Sequence, residues 1–202
     1  IEYIVSMMME PYSEIIKPLI GKMSSEEEKY FNIPADRIEA GTYLVAAAVT
    51  KGNVTIDGID PNRLMRVIDK LKNTGAKLEY EGNSISLKMD LESPNPVDIT
   101  TAPFPEFPTD MQAQFSVINA ISNGTSNIYE TVFENRFMHI LELNRMGCDI
   151  TVQGNHAVIN GVPSLYGAEV MATDLRASAS LILAGLCAKG ETIVDRIYHI
   201  DR

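Results

Sequence analysis

Apolar and polar residues follow two periods along the chain, one typical of helices and one typical of strands. Residues 43–50 are apolar and alanine-rich, and they predict a buried helix that ends near Gly52. After a strand, apolar residues at helical spacing predict an amphipathic helix that ends at Gly75. A Gly-Asn turn then joins the two strands of a β-hairpin. The predicted order is helix 43–50, strand 53–59, helix 61–76 and hairpin strands 77–80 and 84–89.

The same order of elements returns further along the chain. It predicts helix 110–122, strand 126–132, helix 136–146 and hairpin strands 149–152 and 156–159. Three pairs of glycines keep one offset of 72 residues, namely Gly52 with Gly124, Gly75 with Gly147, and Gly82 with Gly154. A third copy begins at residue 174 with a helix up to Gly190 and a strand over 191–197. The sequence ends at Arg202, so we expect the third repeat to be truncated before its second helix.

The repeat predicts an α/β (α+β) fold built from βαβαββ units. Strands at 97–102 and 168–172 precede the first helices of the later copies, so each unit joins parallel strands through helices and closes with a hairpin. We therefore expect mixed sheets packed around buried first helices. The predicted organisation is a lead-in of unknown role over 1–32 and one domain over 33–202, with repeats of about 33–96, 97–165 and 166–202.

Composition narrows the function that the chain can have. A formal net charge of −10 argues against a nucleic-acid partner, because such proteins normally present a basic surface to phosphates. Cys148 and Cys187 match neither a zinc spacing nor a disulfide framework, so a reducing compartment is the simpler interpretation. No stretch resembles a signal peptide or a membrane span, and we expect a cytoplasmic protein with no membrane partner.

Five stretches of the sequence are specific enough to indicate a family. They are ADRIEAGTYLVAAA (35–48), TAPFPEFPTDMQAQF (101–115), ETVFENRFMHILELNRMG (130–147), ATDLRASASL (172–181) and VDRIYHIDR (194–202). Together they resemble the UDP-N-acetylglucosamine enolpyruvyl transferases, or 1-carboxyvinyltransferases, of the EPSP synthase-like superfamily. The resemblance runs from about residue 33 to the end and does not include the lead-in.

The resemblance implies an inside-out α/β barrel-like domain, one of two similar domains with the active site between them. This chain resembles most of one domain, so the companion domain is an expected partner and the chain is expected to be inactive alone. The family transfers enolpyruvyl from phosphoenolpyruvate to the 3-hydroxyl of UDP-N-acetylglucosamine and releases phosphate, in the first committed step of peptidoglycan synthesis. No cofactor is predicted.

Asp110 has two possible roles. From the residues alone capping is favoured, since an aspartate near a helix start accepts backbone N–H bonds. Thr109 and Gln112 fit a capping box, however, which predicts that Thr109 is the N-cap and that Asp110 is free. The resemblance implies that Asp110 contacts the sugar 3-hydroxyl as its base. Prolines at 103, 105 and 108 predict a stiff loop before it, either a surface feature or a device that positions Asp110.

Asp174 is open to the same two interpretations, a helix cap or, by resemblance, a group near the reacting enolpyruvyl carbon. The resemblance places Arg176 in the anion-binding cleft, although a lone arginine more often pairs with a surface carboxylate. Arg136 is predicted to open a helix, where a cation opposes the dipole, so an active-site role explains it better.

Four further residues are substrate-binding candidates by resemblance. Val132 matches a position whose backbone contacts the sugar nucleotide, and Phe133 is a candidate for lining the sugar pocket, although both residue types at a strand end are more often core. Arg37 and Arg202 bracket the resembling region, and Arg202 matches an arginine that binds phosphoenolpyruvate.

The histidines and cysteines are predicted to be structural. His139, His156 and His199 share no metal-binding spacing, and no metal is predicted. The two cysteines are ordinary packing candidates.

Two alternatives remain open at this stage. One is the related transferase for shikimate phosphate, against which the sequences FPTDMQAQ and VFENRFMH argue. The other is a non-catalytic sugar-nucleotide-binding or scaffold module.

Overall fold

The computed structural model describes residues 34–199, and its elements follow the predicted order in three successive units. The first unit contains α1 (Arg37–Val49), β1 (Asn53–Asp57), α2 (Met65–Asn73), β2 (Lys77–Glu81) and β3 (Ser84–Lys88). The second contains β4 (Ile99–Thr100), α3 (Gln112–Ala120), β5 (Thr125–Tyr129), α4 (Met138–Arg145), β6 (Asp149–Gln153) and β7 (His156–Asn160). The third contains β8 (Glu169–Met171), α5 (Leu175–Cys187) and β9 (Ile193–Asp195). The predicted lead-in 1–32 and Arg202 lie outside the described residues.

The first helices of the three units, α1, α3 and α5, pack against one another at the centre. Every residue of α3 is buried, which is possible because the helix carries no charged side chain. Leu44, Phe115 and Leu181, one from each helix, are fully buried. The shared core predicted from the alanine-rich pattern is therefore confirmed. Within the described part of the chain, no helix has the length and apolar character that crossing a bilayer requires.

The strands form three sheets outside these helices. In the second unit the order is β4-β5-β7-β6, with β4 parallel to β5 and the other pairs antiparallel, as a βαβαββ unit predicts. In the third unit β8 and β9 are parallel. The first sheet, β1-β3-β2, is entirely antiparallel, and among residues 34–199 no strand precedes α1. The expectation of a mixed sheet is confirmed for the second unit and stays a prediction for the first.

Four predicted helix starts need correction. The helix predicted over 43–50 already begins at Arg37, and the helix predicted from 61 begins as a 3₁₀ turn (Pro61–Leu64) before α2. The predicted helix from residue 110 begins as a 3₁₀ turn (Thr109–Met111), and the α-helix starts only at Gln112. The predicted helix from 136 starts at Met138, after a turn over 134–137 in which Asn135 adopts a left-handed backbone with φ of 57°. The starts of α3 and α4 lie beside the cleft described below.

Two helix ends follow the prediction. Gly75 and Gly147 come one residue after the C-caps of α2 and α4 and have φ of 93° and 91°. Glycine adopts this left-handed geometry without steric cost, so the 72-residue offset marks equivalent helix ends.

Gly161 passes too close to the end of α3 to carry a side chain. A Cβ there would lie 1.9 Å from the Ser122 carbonyl oxygen, which is backbone and cannot turn aside. We expect Gly161→Ala to lower the free energy of unfolding by at least about 2 kcal/mol.

Gly185→Ala is the matched control for this prediction. Gly185 lies within α5, and the nearest atoms to its Cβ, on Thr192, are 3.4 Å away. Alanine is a better helix former than glycine, so the free energy of unfolding of this variant should be unchanged or higher by up to about 1 kcal/mol. Urea denaturation of both variants checks the pair, and equal losses of stability would contradict the close approach.

Candidate functional site

The site lies where parallel strands end. Because β4 and β5 are parallel, their carboxyl ends share one edge of the sheet, and Thr101 and Glu130 follow them directly. Asp174 follows β8 in the same way after a short link. An open cleft of about 420 Å³ lies at this edge. Its lining residues are Thr109, Asp110, Phe133, Glu134, Asn135, Arg136, Met138 and Asp174.

Asp110 is held by two arginines and does not cap a helix. Its Oδ1 accepts a hydrogen bond of 2.6 Å from Nη2 of Arg136, and its Oδ2 accepts one of 3.1 Å from Nη2 of Arg176. All three side chains are partly buried, so solvent screens these ion pairs less than surface pairs. The capping role that the residues alone favoured is not observed.

The capping role predicted for Thr109 is wrong. The 3₁₀ turn starts after Pro108, and no side chain accepts a hydrogen bond from its backbone N–H groups. The Thr109 hydroxyl instead donates to Oε2 of Glu130 at 2.8 Å and accepts from Nη1 of Arg136 at 2.9 Å. The Asp110 side chain therefore does not cap the helix because two arginines bind it, and not because Thr109 takes the capping role.

The pKa of Asp110 results from opposing effects. Burial raises this pKa, but the hydrogen bond from Arg136 and the charges of Arg176 and Arg136 outweigh burial and hold it below its ordinary value. Asp110 is therefore ionised at neutral pH and can accept a proton. While both guanidiniums remain in place, it is a weaker base than an isolated aspartate.

Glu130 is a buried carboxylate that sequence reasoning did not select. Its Oε1 accepts hydrogen bonds from the Thr101 hydroxyl at 2.8 Å and from the backbone N–H groups of Val132 and Phe133 at 2.9 and 3.1 Å. Its Oε2 accepts from the Thr109 hydroxyl. An acidic residue directly after a strand was the available signal, since a charge is rarely buried without a dedicated set of donors.

Asp174 is the N-cap of α5. Its Oδ1 accepts from the backbone N–H groups of Arg176 and Ala177 at 2.8 and 2.9 Å. The structural interpretation of this residue is therefore correct, and Asp174 also lines the cleft. Through Arg176, the start of α5 brings the third unit into contact with Asp110 of the second.

Val132 and Phe133 are not core residues. Their exposed fractions are 36% and 55%, so the burial expected of such residues at a strand end does not occur. The backbone N–H of each is bonded to Glu130, which shapes the turn after β5. The Phe133 ring lies 4.9 Å from the Arg136 guanidinium carbon and forms a cation–π contact with it.

The proline loop before Asp110 is anchored at several points. Phe107 is buried and meets Phe115 edge to face with ring centroids 5.1 Å apart. Arg37 lies 5.1 Å from the ring centre of Phe104, so this predicted substrate residue contacts the loop and is not among the residues that line the cleft. These contacts join the loop to α1 and α3, and its role in positioning Asp110 stays a prediction.

The described histidine and cysteine side chains have structural surroundings. His139 is buried, and His156 bonds Asn127 at 2.9 Å. Burial raises the pKa of the Cys148 thiol to about 12 and that of Cys187 to about 11, so both stay protonated and unreactive. Among residues 34–199, no group of three or more His, Cys, Asp or Glu side chains is arranged to hold a metal ion.

Comparisons with known sequences agree on one family. The family model described as EPSP synthase (3-phosphoshikimate 1-carboxyvinyltransferase) matches residues 16–202, so the match begins within the predicted lead-in. A UDP-N-acetylglucosamine 1-carboxyvinyltransferase from Hydrogenovibrio crunogenus (strain DSM 25203 / XCL-2) is 59% identical over 172 residues. That alignment covers 85% of this chain but 41% of the relative, so the chain spans about two fifths of the relative's length.

Solved structures show the same fold. The enolpyruvyl transferase NikO from Streptomyces tendae superposes with a TM-score of 0.76 at 26% identity, over 84% of this chain and 40% of that one. An EPSP synthase from Acinetobacter baumannii superposes with a TM-score of 0.64 at 17% identity, over 81% of this chain and 39% of that one. The fold predicted from the repeat is confirmed by both.

His139 should make stability depend on pH. Burial, assisted by the charge of Arg136 and opposed by that of Asp174, lowers its pKa to about 4, whereas an unfolded histidine titrates near about 6.5. As the pH falls below about 6.5, the unfolded chain takes up a proton on this histidine that the folded chain does not. The free energy of unfolding therefore decreases with decreasing pH. We expect a loss of about 2 kcal/mol between pH 7 and pH 5.

Urea denaturation across this pH range checks the prediction, with His139→Leu as the comparison. The variant should lack most of this slope. If the free energy of unfolding falls with decreasing pH equally in both proteins, His139 is not a buried neutral histidine and the prediction is wrong.

Proposed function

The chain belongs to the EPSP synthase family of enolpyruvyl transferases, and we propose that it forms one wall of an active site that transfers enolpyruvyl from phosphoenolpyruvate to the 3-hydroxyl of UDP-N-acetylglucosamine. The observation that carries the proposal is Asp110, a carboxylate that faces an open cleft between two guanidinium groups. The product would enter peptidoglycan synthesis in the cytoplasm.

The reaction needs a base and a set of cations. The sugar hydroxyl oxygen bonds to the central carbon of phosphoenolpyruvate while its proton leaves and the methylene carbon gains a proton. The tetrahedral intermediate then expels phosphate and loses a proton from the methyl carbon, which restores the double bond. Asp110 is proposed to take the hydroxyl proton, and Asp174 is proposed to lie near the enolpyruvyl carbon.

The arginines suit the anionic groups of the substrate. Guanidinium groups bind carboxylate and phosphate in bidentate fashion, and Arg136 and Arg176 already converge on one carboxylate. An anion that draws Arg176 away would remove a hydrogen bond from Asp110 and raise the pKa of Asp110. Substrate binding would thereby strengthen the proposed base at the moment when it is needed.

The charges of the cleft indicate that other cations complete it. Three carboxylates, Asp110, Glu134 and Asp174, face two guanidiniums, Arg136 and Arg176. Two anionic substrates require a net positive site. The proposed partner is a companion domain that supplies these cations, in agreement with the two-fifths share of the relative that the chain covers.

Sequence identity favours the sugar nucleotide over shikimate phosphate as the acceptor substrate. The family model carries the shikimate name, but the relative that is 59% identical is named for UDP-N-acetylglucosamine, whereas the EPSP synthase structure is 17% identical. Val132 and Phe133, both exposed beside the cleft, are proposed to contact this sugar nucleotide. Arg37 and Arg202 remain proposed substrate residues.

Supplying the missing part of the site tests the function. The 202-residue chain alone should release no phosphate from phosphoenolpyruvate with UDP-N-acetylglucosamine. A chimera in which this chain replaces the 59% identical segment of the Hydrogenovibrio crunogenus relative should release phosphate and form enolpyruvyl product. Release by the chain alone would contradict a half-site. A folded chimera that binds the sugar nucleotide without transfer would favour a non-catalytic module, and transfer to shikimate phosphate would favour the other transferase.

In that chimera, Asp110→Ala should mainly reduce turnover. Loss of a proton-transfer group typically lowers kcat by about 100-fold to 10,000-fold and leaves KM less affected. Asp60→Ala is the matched control, since Asp60 accepts a backbone N–H bond at the start of a 3₁₀ turn and is not a cleft residue. Steady-state kinetics of both variants check the role, and wild-type turnover by Asp110→Ala would rule it out.

A further inference from the structure

Glu130 is a charged residue that is buried without a direct cationic partner. Its exposed fraction is 2%, and among the ion pairs of the described residues none includes it. Its charge is instead balanced by four hydrogen bonds, from two hydroxyls and two backbone N–H groups. Burying a carboxylate costs free energy unless hydrogen-bond donors surround it. A glutamate at this buried position therefore indicates a function that a neutral side chain could not perform.

The two oxygens of Glu130 serve different neighbours. Oε1 accepts from Thr101, Val132 and Phe133, which fixes the ends of β4 and β5 and the turn that follows. Oε2 accepts only from the Thr109 hydroxyl among the hydrogen bonds described. Oε2 therefore bonds Thr109, the residue directly before Asp110.

The Thr109 hydroxyl has one proton, and the acceptor decides where it points. With the proton directed at Glu130, the oxygen lone pairs face Arg136, whose Nη1 donates to this oxygen at 2.9 Å. The other amino group of the same guanidinium donates to Asp110 at 2.6 Å. A rigid planar guanidinium with both amino groups bonded has its orientation fixed.

We propose that Glu130 is a positioning residue of the cleft: its carboxylate orients the Thr109 hydroxyl, and this hydroxyl holds the Arg136 guanidinium against Asp110. The inference gives the proposed active site a further residue and rests on the proposed function for its catalytic relevance. The hydrogen bonds that link Glu130 to Asp110 through Thr109 and Arg136 all lie within this polypeptide, so they form without substrate or a companion domain.

Glu130→Gln separates positioning from folding. An amide carbonyl can keep the three donors at Oε1, while the amide NH₂ replaces Oε2 and must donate to Thr109. The threonine oxygen would then face a second donor, and its own proton would turn away toward Arg136. The hydrogen bond from Arg136 to Thr109 should weaken, and the guanidinium should lose its fixed orientation toward Asp110.

The readout is the titration of the Asp110 carboxyl carbon, followed by NMR in the full 202-residue chain. The wild-type carboxyl should titrate below its ordinary range. In Glu130→Gln and in Thr109→Val, the measured pKa should rise toward the ordinary aspartate value, because Arg136 no longer holds its place. Thr109→Ser keeps the hydroxyl and should restore the wild-type value.

Thr101→Val is the matched structural control. It removes the hydrogen bond that the Thr101 hydroxyl donates to Oε1 of Glu130 and the one that it accepts from the Thr131 backbone N–H. The variant should have a lower melting temperature and an unchanged Asp110 titration. A wild-type titration in either folded Glu130→Gln or Thr109→Val would overturn the proposal, as would an equal shift in Thr101→Val. If Glu130→Gln does not fold, the Thr109 variants decide alone. Because no turnover is measured, this outcome is independent of whether the proposed reaction occurs.

Discussion

The ion pairs between Asp110 and two arginines join parts of the chain that are far apart in sequence. Arg136 belongs to the same unit as Asp110, whereas Arg176 starts the central helix of the next unit. The charge of the partly buried Asp110 carboxylate is balanced by the two guanidiniums, and the ion pairs keep both cations at the strand ends. The geometry of the cleft follows from this contact and from the buried Glu130 behind it.

The repeat explains why these groups meet. The second and third units each end a pair of parallel strands at one edge of the sheet, and the three central helices pack together, so the polar residues that follow β4, β5 and β8 converge. The arrangement needs no long loop to place Asp174 beside Asp110. It also leaves α3 entirely buried, which fixes the backbone just after Asp110.

Much of the fold could be predicted from sequence because its signals are local. Periodicity, Gly-Asn hairpin turns and the helix-ending glycines Gly75 and Gly147 each involve only a few neighbouring residues. The site was predicted less completely. Thr109 looked like a cap because Gln112 stands three residues on, but its partner Glu130 lies 21 residues away and was not selected. Val132 and Phe133 looked like core because burial beyond a strand end depends on what packs there, which local sequence does not specify.

The central claim is that the Asp110 side chain belongs to the cleft and meets the acceptor hydroxyl. The most direct test is a crystal structure of the chimera with UDP-N-acetylglucosamine bound, in which the distance from the sugar 3-hydroxyl oxygen to the Asp110 carboxylate is measured. We expect a separation within hydrogen-bond reach, about 2.6 to 3.2 Å. A sugar hydroxyl out of reach of Asp110, with that carboxylate turned to the backbone N–H groups of α3, would contradict it.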